Sequence, residues 1–264
     1  MRTSIVAFIV AGICTAAVAD NGSKREEDML GQMRAEQRAL AKQAAGGVTA
    51  ADVGDPDSFG RNVQFLGVAQ TGLVQVVVPG ACSPPDPNFP DDRCVEADPS
   101  AVTVVQARDI GRMRLPARAA HSLLCHSITA LRSYSFRNFT ANPVNASFNF
   151  AASITIENEV LNDPTLIDPN TGLPFNGSLE VAFGFGSDTQ TLHPTDQVRR
   201  SHNNTRACIG GLISKQTLTQ SFGLTDAQAD DFFRKPMMLR LNITLRSQFA
   251  DLAAAFFGLR VFGD

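Results

Sequence analysis

The chain has 264 residues, with 23 Lys plus Arg against 26 Asp plus Glu and a formal net charge of −3. That balance argues against nucleic acid, whose binding needs a clustered basic footprint. Aromatic usage is lopsided at 18 Phe, one Tyr and no Trp; sugar-stacking platforms favour rings with a polar handle, so these phenylalanines read as core filling.

Residues 1–19 read as a signal peptide. Arg2 supplies the positive start, Ile5 to Ile13 the apolar core, and Ala17-Val18-Ala19 the small-x-small site, with cleavage expected before Asp20. The apolar run is too short for a resident transmembrane helix. Ile13 stands before Cys14 where a lipobox needs a small residue, which argues against lipidation. The expected compartment is therefore secreted, periplasmic or cell-surface, with no stable transmembrane span. The remainder, Asp20 to Asp264, suits one β-sandwich or barrel and is short for two full domains.

Residues 20–48 form a separate helical segment. Ser23 to Glu26 fits a capping box, and Glu26, Glu27 and Asp28 favour the positive end of the helix dipole. Met29, Leu30, Met33, Leu40, Ala41 and Ala44 approximate one face, interrupted by Gln37, and Gly46-Gly47 stops it. So few strongly apolar positions predict a segment that the fold can lose.

From Gly54-Asp55-Pro56-Asp57 onward the period changes to two, and residues 49–264 read as one domain. The apolar string Leu73 to Val78 ends at Pro79-Gly80, since Pro lacks a ladder donor. Val102–Gln106 and Leu123–Leu131 are further strand candidates. Phe148, Phe150, Ala152, Ile154 and Ile156 line one face of a strand; Leu179, Val181, Phe183 and Phe185 repeat the pattern, as do Leu239, Leu241, Ile243 and Leu245. Distant strands that are apolar on one side need a common interior, which face-to-face antiparallel sheets supply. Thr225 to Gln228 offers a second capping box, and Pro236 closes the short helix it starts. Phe249–Phe257 is ambiguous between strand and helix. The fold class is thus mainly β: an antiparallel β-sandwich with an N-terminal amphipathic helix and one short late helix.

The exported chain keeps Cys82, Cys94, Cys125 and Cys208, an even set that reads as two disulfides. Cys82–Cys94 with Cys125–Cys208 is the favoured pairing, because the Pro-rich loop Ser83 to Arg93 needs its ends tied.

Reactive-looking groups are sparse. Asp168-x-Asn170-x-Gly172, with Asp163 before it, resembles the opening of an oxygen-rich calcium loop, but Pro169 stiffens it and no distal bidentate Glu follows. Calcium is the one cofactor considered, and turn formation explains the same residues. Glu157 and Glu159 share a strand face, where a solvated surface explains them better than a catalytic pair. His121, Cys125 and His126 cluster, yet a disulfide at Cys125 removes the thiol; His193 and His202 lie in polar surroundings, with no nucleophile elbow or zinc helix motif. Asn21, Asn138, Asn145, Asn176, Asn203 and Asn242 each open an Asn-x-Ser/Thr triplet, more than composition alone gives.

These observations favour a secreted or cell-surface structural or interaction protein without catalytic activity, contacting an unknown protein or surface partner. The alternatives are a calcium-dependent ligand-binding module using Asp163, Asp168 and Asn170, or a secreted hydrolase whose groups converge only in three dimensions.

Overall fold

A computed structural model of the protein describes residues 31, 33–35, 37–39, 64–207 and 212–264. The leader over residues 1–19, the helix start at Ser23, the Gly46-Gly47 stop, the turn at Gly54-Asp55-Pro56-Asp57 and Cys208 lie outside the described residues.

The strands are β1 (Gln64–Gln70), β2 (Val74–Val77), β3 (Arg93–Glu96), β4 (Thr103–Ala107), β5 (Arg112–Leu115), β6 (Leu123–Arg137), β7 (Val144–Asn158), β8 (Ser178–Leu192), β9 (Gln197–Ala207), β10 (Ile213–Ser214), β11 (Met237–Gln248) and β12 (Ala250–Gly263). One sheet runs β10-β6-β12-β2-β3, with β9 also on β6 and β1 also on β12. The other runs β4-β11-β7-β8, with β5 also on β11. The two sheets pack against each other as a β-sandwich. Helices α1 (Lys215–Gln220) and α2 (Asp226–Arg234) follow β10. Thr225 and Gln228 make the expected capping box on α2; α1 is a helix that the apolar periodicity does not announce.

The alternations on β7 and β11 face the interior as their periods require. Phe148, Phe150, Ala152, Ile154 and Ile156 meet Leu239, Leu241, Ile243 and Leu245 in one core. β12 resolves the ambiguous stretch as strand. It is apolar on both sides because both sides are covered: Ala253, Ala255, Phe257, Leu259 and Val261 face the sandwich interior. Leu252, Ala254 and Phe256 face a second, smaller cluster.

That second cluster contains Met33, packed with Leu73, Val77 and Leu131. Met33 is only 2% exposed, and Arg34 pairs with Asp92. Met33 and Gln37 of this segment are thus buried, a contact that bears on the expectation that the fold can lose it. A single buried Met and a buried Gln37 cover an apolar strip on the outer sheet face, which a count of apolar positions underrates.

Two further departures have local causes. β2 and β3 pair in parallel rather than antiparallel. Parallel neighbours need a long crossover, and the Pro-rich segment between them supplies one, tied by the expected Cys82–Cys94 disulfide with Cα atoms 5.9 Å apart. On β8 the alternation breaks at a bulge. Ala151 pairs with Phe185 and Ser153 with Ala182, so Phe183 and Gly184 together oppose Ala152. Beyond the bulge the inward parity passes to Gly186, Asp188 and Gln190, opposite Phe150, Phe148 and Ala146. The simple alternation expected from Leu179 to Phe185 is therefore not continuous along β8.

Two of the corners at which the chain changes sheet show how it turns. Phe249 alone joins β11 to β12, with φ at 53°, and its carbonyl accepts from the Arg137 amide at 3.0 Å. Between β6 and β7, Asn138 is buried and donates to the carbonyls of Asn142 at 2.7 Å and Leu192 at 3.2 Å.

Candidate functional site: a polar seam between β8 and β9

β8 and β9 are outer strands of opposite sheets, and their inner faces meet with polar side chains rather than apolar ones. From β6, the inward positions Arg132 and Tyr134 pair in register with His202 and Arg200 of β9. From β8, the bulge brings Asp188 and Gln190 to the same level. Bulges re-aim side chains in this way beside functional sites.

Tyr134 is the hub. Its side chain is 1% exposed, and its ring stacks on Phe148 with centroids 4.5 Å apart. The phenol donates to Asp188, and His202 Nε2 lies 3.0 Å from the same oxygen. With the phenol proton directed at Asp188, the His202 N–H completes the arrangement. Arg200 then donates to Asp188 Oδ2 at 3.0 Å and to Gln190 Oε1 at 3.1 Å. Burial, reinforced by the Asp188 carboxylate, raises the phenol well above its ordinary pKa, so it stays protonated. The Tyr134 phenol thus stands between the His202 imidazole and the Asp188 carboxylate.

One step along the seam lies a different environment. Arg132 is 8% exposed, and its Nη2 donates to the Asn204 side-chain oxygen at 2.7 Å. Its guanidinium, with the Asn204 carboxamide and the Arg206 guanidinium beside it, lines a cavity of about 40 Å³ whose remaining walls include Ile128, Ala130, Phe150, Ala152 and Phe183. Burial lowers the Arg132 pKa from its ordinary value, and Arg206 pushes in the same direction against Tyr134 and Asp188. Inward-pointing charges on outer strands also discourage edge-to-edge association. That accounts for charge on β8 and β9, but not for a guanidinium on β6, which is an inner strand of its sheet.

The residues singled out from sequence are dispersed. The Asp163 carboxylate accepts from the Thr165 amide at 2.9 Å, and the Asp168 carboxylate from the Asn170 amide at 2.9 Å. The proposed calcium oxygens therefore serve two separate turns, and among the described residues no group of His, Cys, Asp and Glu is placed to hold a metal ion. Glu157 is gripped by Arg240 at 2.6 and 3.1 Å, and Glu159 by Lys235. Cys125 is disulfide-bonded; its expected partner, Cys208, lies outside the described residues. His126 faces the interior against Phe183, and desolvation lowers its pKa to about 4. His121 lines a cavity of about 300 Å³ with Asp230, whose carboxylate pairs with Lys215. The His193 amide caps the corner at Asp196. His202 reaches Asp188 through the Tyr134 phenol, and among the described residues no two histidines share a site.

Of the glycosylation triplets, Asn138 and Asn242 are buried and spend their amides inside the fold. Asn145, Asn176 and Asn203 are exposed, and Asn21 lies outside the described residues.

Sequence reasoning passed over Tyr134, Asp188, Arg132 and Asn204. A signal existed in Gly184-Phe185-Gly186, since glycine inside a strand pattern marks a bulge or a close backbone approach. Arg200-x-His202-x-Asn204-x-Arg206 is the matching period-two face.

No family model matches the chain, and no curated protein does so significantly. Among solved structures, a chain of the T13 IBDV viral particle aligns at 13% identity and a TM-score of 0.09, over 70% of this chain and 43% of that one. A likeness that slight supports no inference about fold or function. Among the described residues no helix is long and apolar enough to cross a membrane.

Proposed function

We propose that this chain is a secreted or cell-surface structural or interaction protein that works without catalysis. The observation that carries the reading is the Tyr134 phenol that separates the His202 imidazole from the Asp188 carboxylate. Tyr134 donates to Asp188 and meets His202 Nε2, and Arg200 donates to Asp188. A hydrolytic His–Asp pair instead has the carboxylate directly on the imidazole N–H, where it fixes the tautomer. Export is supported by the leader-like residues 1–19 and by a Cys82–Cys94 disulfide, which persists in oxidising compartments.

The test uses the purified full chain against panels of ester, peptide and glycoside substrates, alongside His202→Gln and Asp188→Asn. The expected result is no turnover above buffer and a lower melting temperature in both variants. Turnover that His202→Gln abolishes while the melting temperature is retained would overturn the reading and put the hydrolase first. N-terminal sequencing of exported protein, expected to begin at Asp20, tests the compartment separately.

A further inference from the structure

We propose that the cavity at Arg132 is a binding site for a short-chain monocarboxylate, with the carboxylate on Arg132 and Asn204 and the alkyl stub against the apolar wall. The site stands independently of export and of the absence of catalysis.

Arg132 is the first reason. A guanidinium carries five donors, and a buried one is costly unless a counter-charge meets it. Here one acceptor is supplied, the Asn204 side-chain oxygen at 2.7 Å. Among the described residues neither Arg132 nor Arg206 lies within ion-pairing distance of a carboxylate; Asp188, the nearest acidic group of the seam, is held by Arg200 and Tyr134. Two guanidinium groups and an amide therefore converge on one space with positive charge to spare.

The wall of that space is the second reason. Ile128, Ala130, Phe150, Ala152 and Phe183 offer no hydrogen-bond partner. A phosphate or sulfate would turn oxygens toward this surface and leave them unpaired, which is costly in a buried site. A carboxylate presents both oxygens in one plane, matching the guanidinium fork, and an alkyl chain behind them suits the wall. Size sets the limit. A cavity of about 40 Å³ holds roughly three waters at about 10–15 Å³ each, so it takes the carboxylate head, and a short stub extends along the apolar wall toward the exposed mouth at Arg206, whereas a long acyl chain would run into solvent.

The third reason is positional. Arg132 keeps this pose because Gly186 has no side chain: a Cβ there would fall 1.3 Å from Arg132 Nη1. The β8 bulge puts that glycine, rather than a bulky neighbour, over the guanidinium.

The experiment titrates the purified, disulfide-bonded protein with sodium propionate and sodium butyrate, followed by melting temperature and by NMR shifts of the Arg132 and Asn204 side-chain N–H groups. Propionamide, 1-propanol and inorganic phosphate are the controls. Saturable shifts with the two carboxylates, absent with propionamide and 1-propanol, are expected. Arg132→Met should abolish them, and Arg206→Gln, at the exposed mouth, should weaken binding by about tenfold without unfolding the protein. The proposal is overturned by any of three results: no saturable shift with either carboxylate, propionamide binding as tightly as propionate, or Arg206→Gln and Arg132→Met both binding as the unaltered protein does. Phosphate binding in preference to propionate also overturns it, because the apolar wall would then not be selecting the ligand.

Discussion

Gly186 and Arg132 compete for the same space, and the glycine yields it: a Cβ on Gly186 would lie 1.3 Å from the Arg132 guanidinium nitrogen. The relationship joins opposite sheets, since Gly186 is on β8 and Arg132 on β6. Gly186→Ala should therefore swing the guanidinium out, because the obstructing atom ends a flexible side chain. The expected outcome is a small stability change with loss of the Arg132–Asn204 contact. Arginine side-chain NMR or a crystal structure of the variant checks it; an unmoved Arg132 would refute it.

Tyr134→Phe should destabilise the fold by about 1–3 kcal/mol, since it removes a donor to Asp188 and the half-buried partner of His202 Nε2. At about 2–4 °C per kcal/mol for a domain of this size, calorimetry should register the drop. Stability equal to that of the parent chain would mean that the phenol contributes packing alone.

Acid should weaken the protein in two windows. His126 has a folded pKa of about 4 against 6.5 when unfolded, because burial disfavours its charged form. The unfolded chain then binds the extra proton, so stability falls as pH drops from 6.5 toward 4 and is flat below that. Burial acts to raise the Asp264 pKa, but the Ser122 hydroxyl and the amides of Ser122, Leu123 and His121 outweigh it and hold the carboxyl at about 2 against 3.8. Its contribution is present above 3.8 and is lost as pH falls toward 2. Urea midpoints across pH should show both, and His126→Leu should flatten only the upper window.

Met33→Ala should cost about 2–5 kcal/mol, the range for emptying a buried Met site, and a chain starting near Thr49 should expose Leu73, Val77, Leu131 and Phe256. Unfolding midpoints and binding of a hydrophobic dye measure the two effects. If truncation left both unchanged, the helix would not complete the outer cluster.

Phe148→Ala should cost about 3–5 kcal/mol, since Phe148 is fully buried beneath Tyr134. Glu157→Gln with Glu159→Gln should cost about 1 kcal/mol, as Glu159 sits in an exposed ion pair with Lys235 and Glu157 in a half-exposed one with Arg240. Chemical denaturation separates the two. Comparable losses would place the β7 register one residue off, which exchanges its faces.

What the sequence determined by itself was whatever depends on a local period or a short loop. The β7 and β11 faces follow from strict alternation, the α2 start from a capping box at Thr225, and the Cys82–Cys94 pairing from a loop that needed closure. Only the tertiary structure decided the rest. β12 carries no period because both its faces are covered, so its strand identity depends on partners far away in sequence. The docking of Met33 is likewise a matter of what lies beneath one side chain. The seam depends on a bulge at Phe183-Gly184 that reverses parity, and on two outer strands meeting across the sandwich. Tyr134, Asp188 and His202 are polar residues in unrelated stretches, and hydrogen bonding across sheets has no sequence period by which to announce itself.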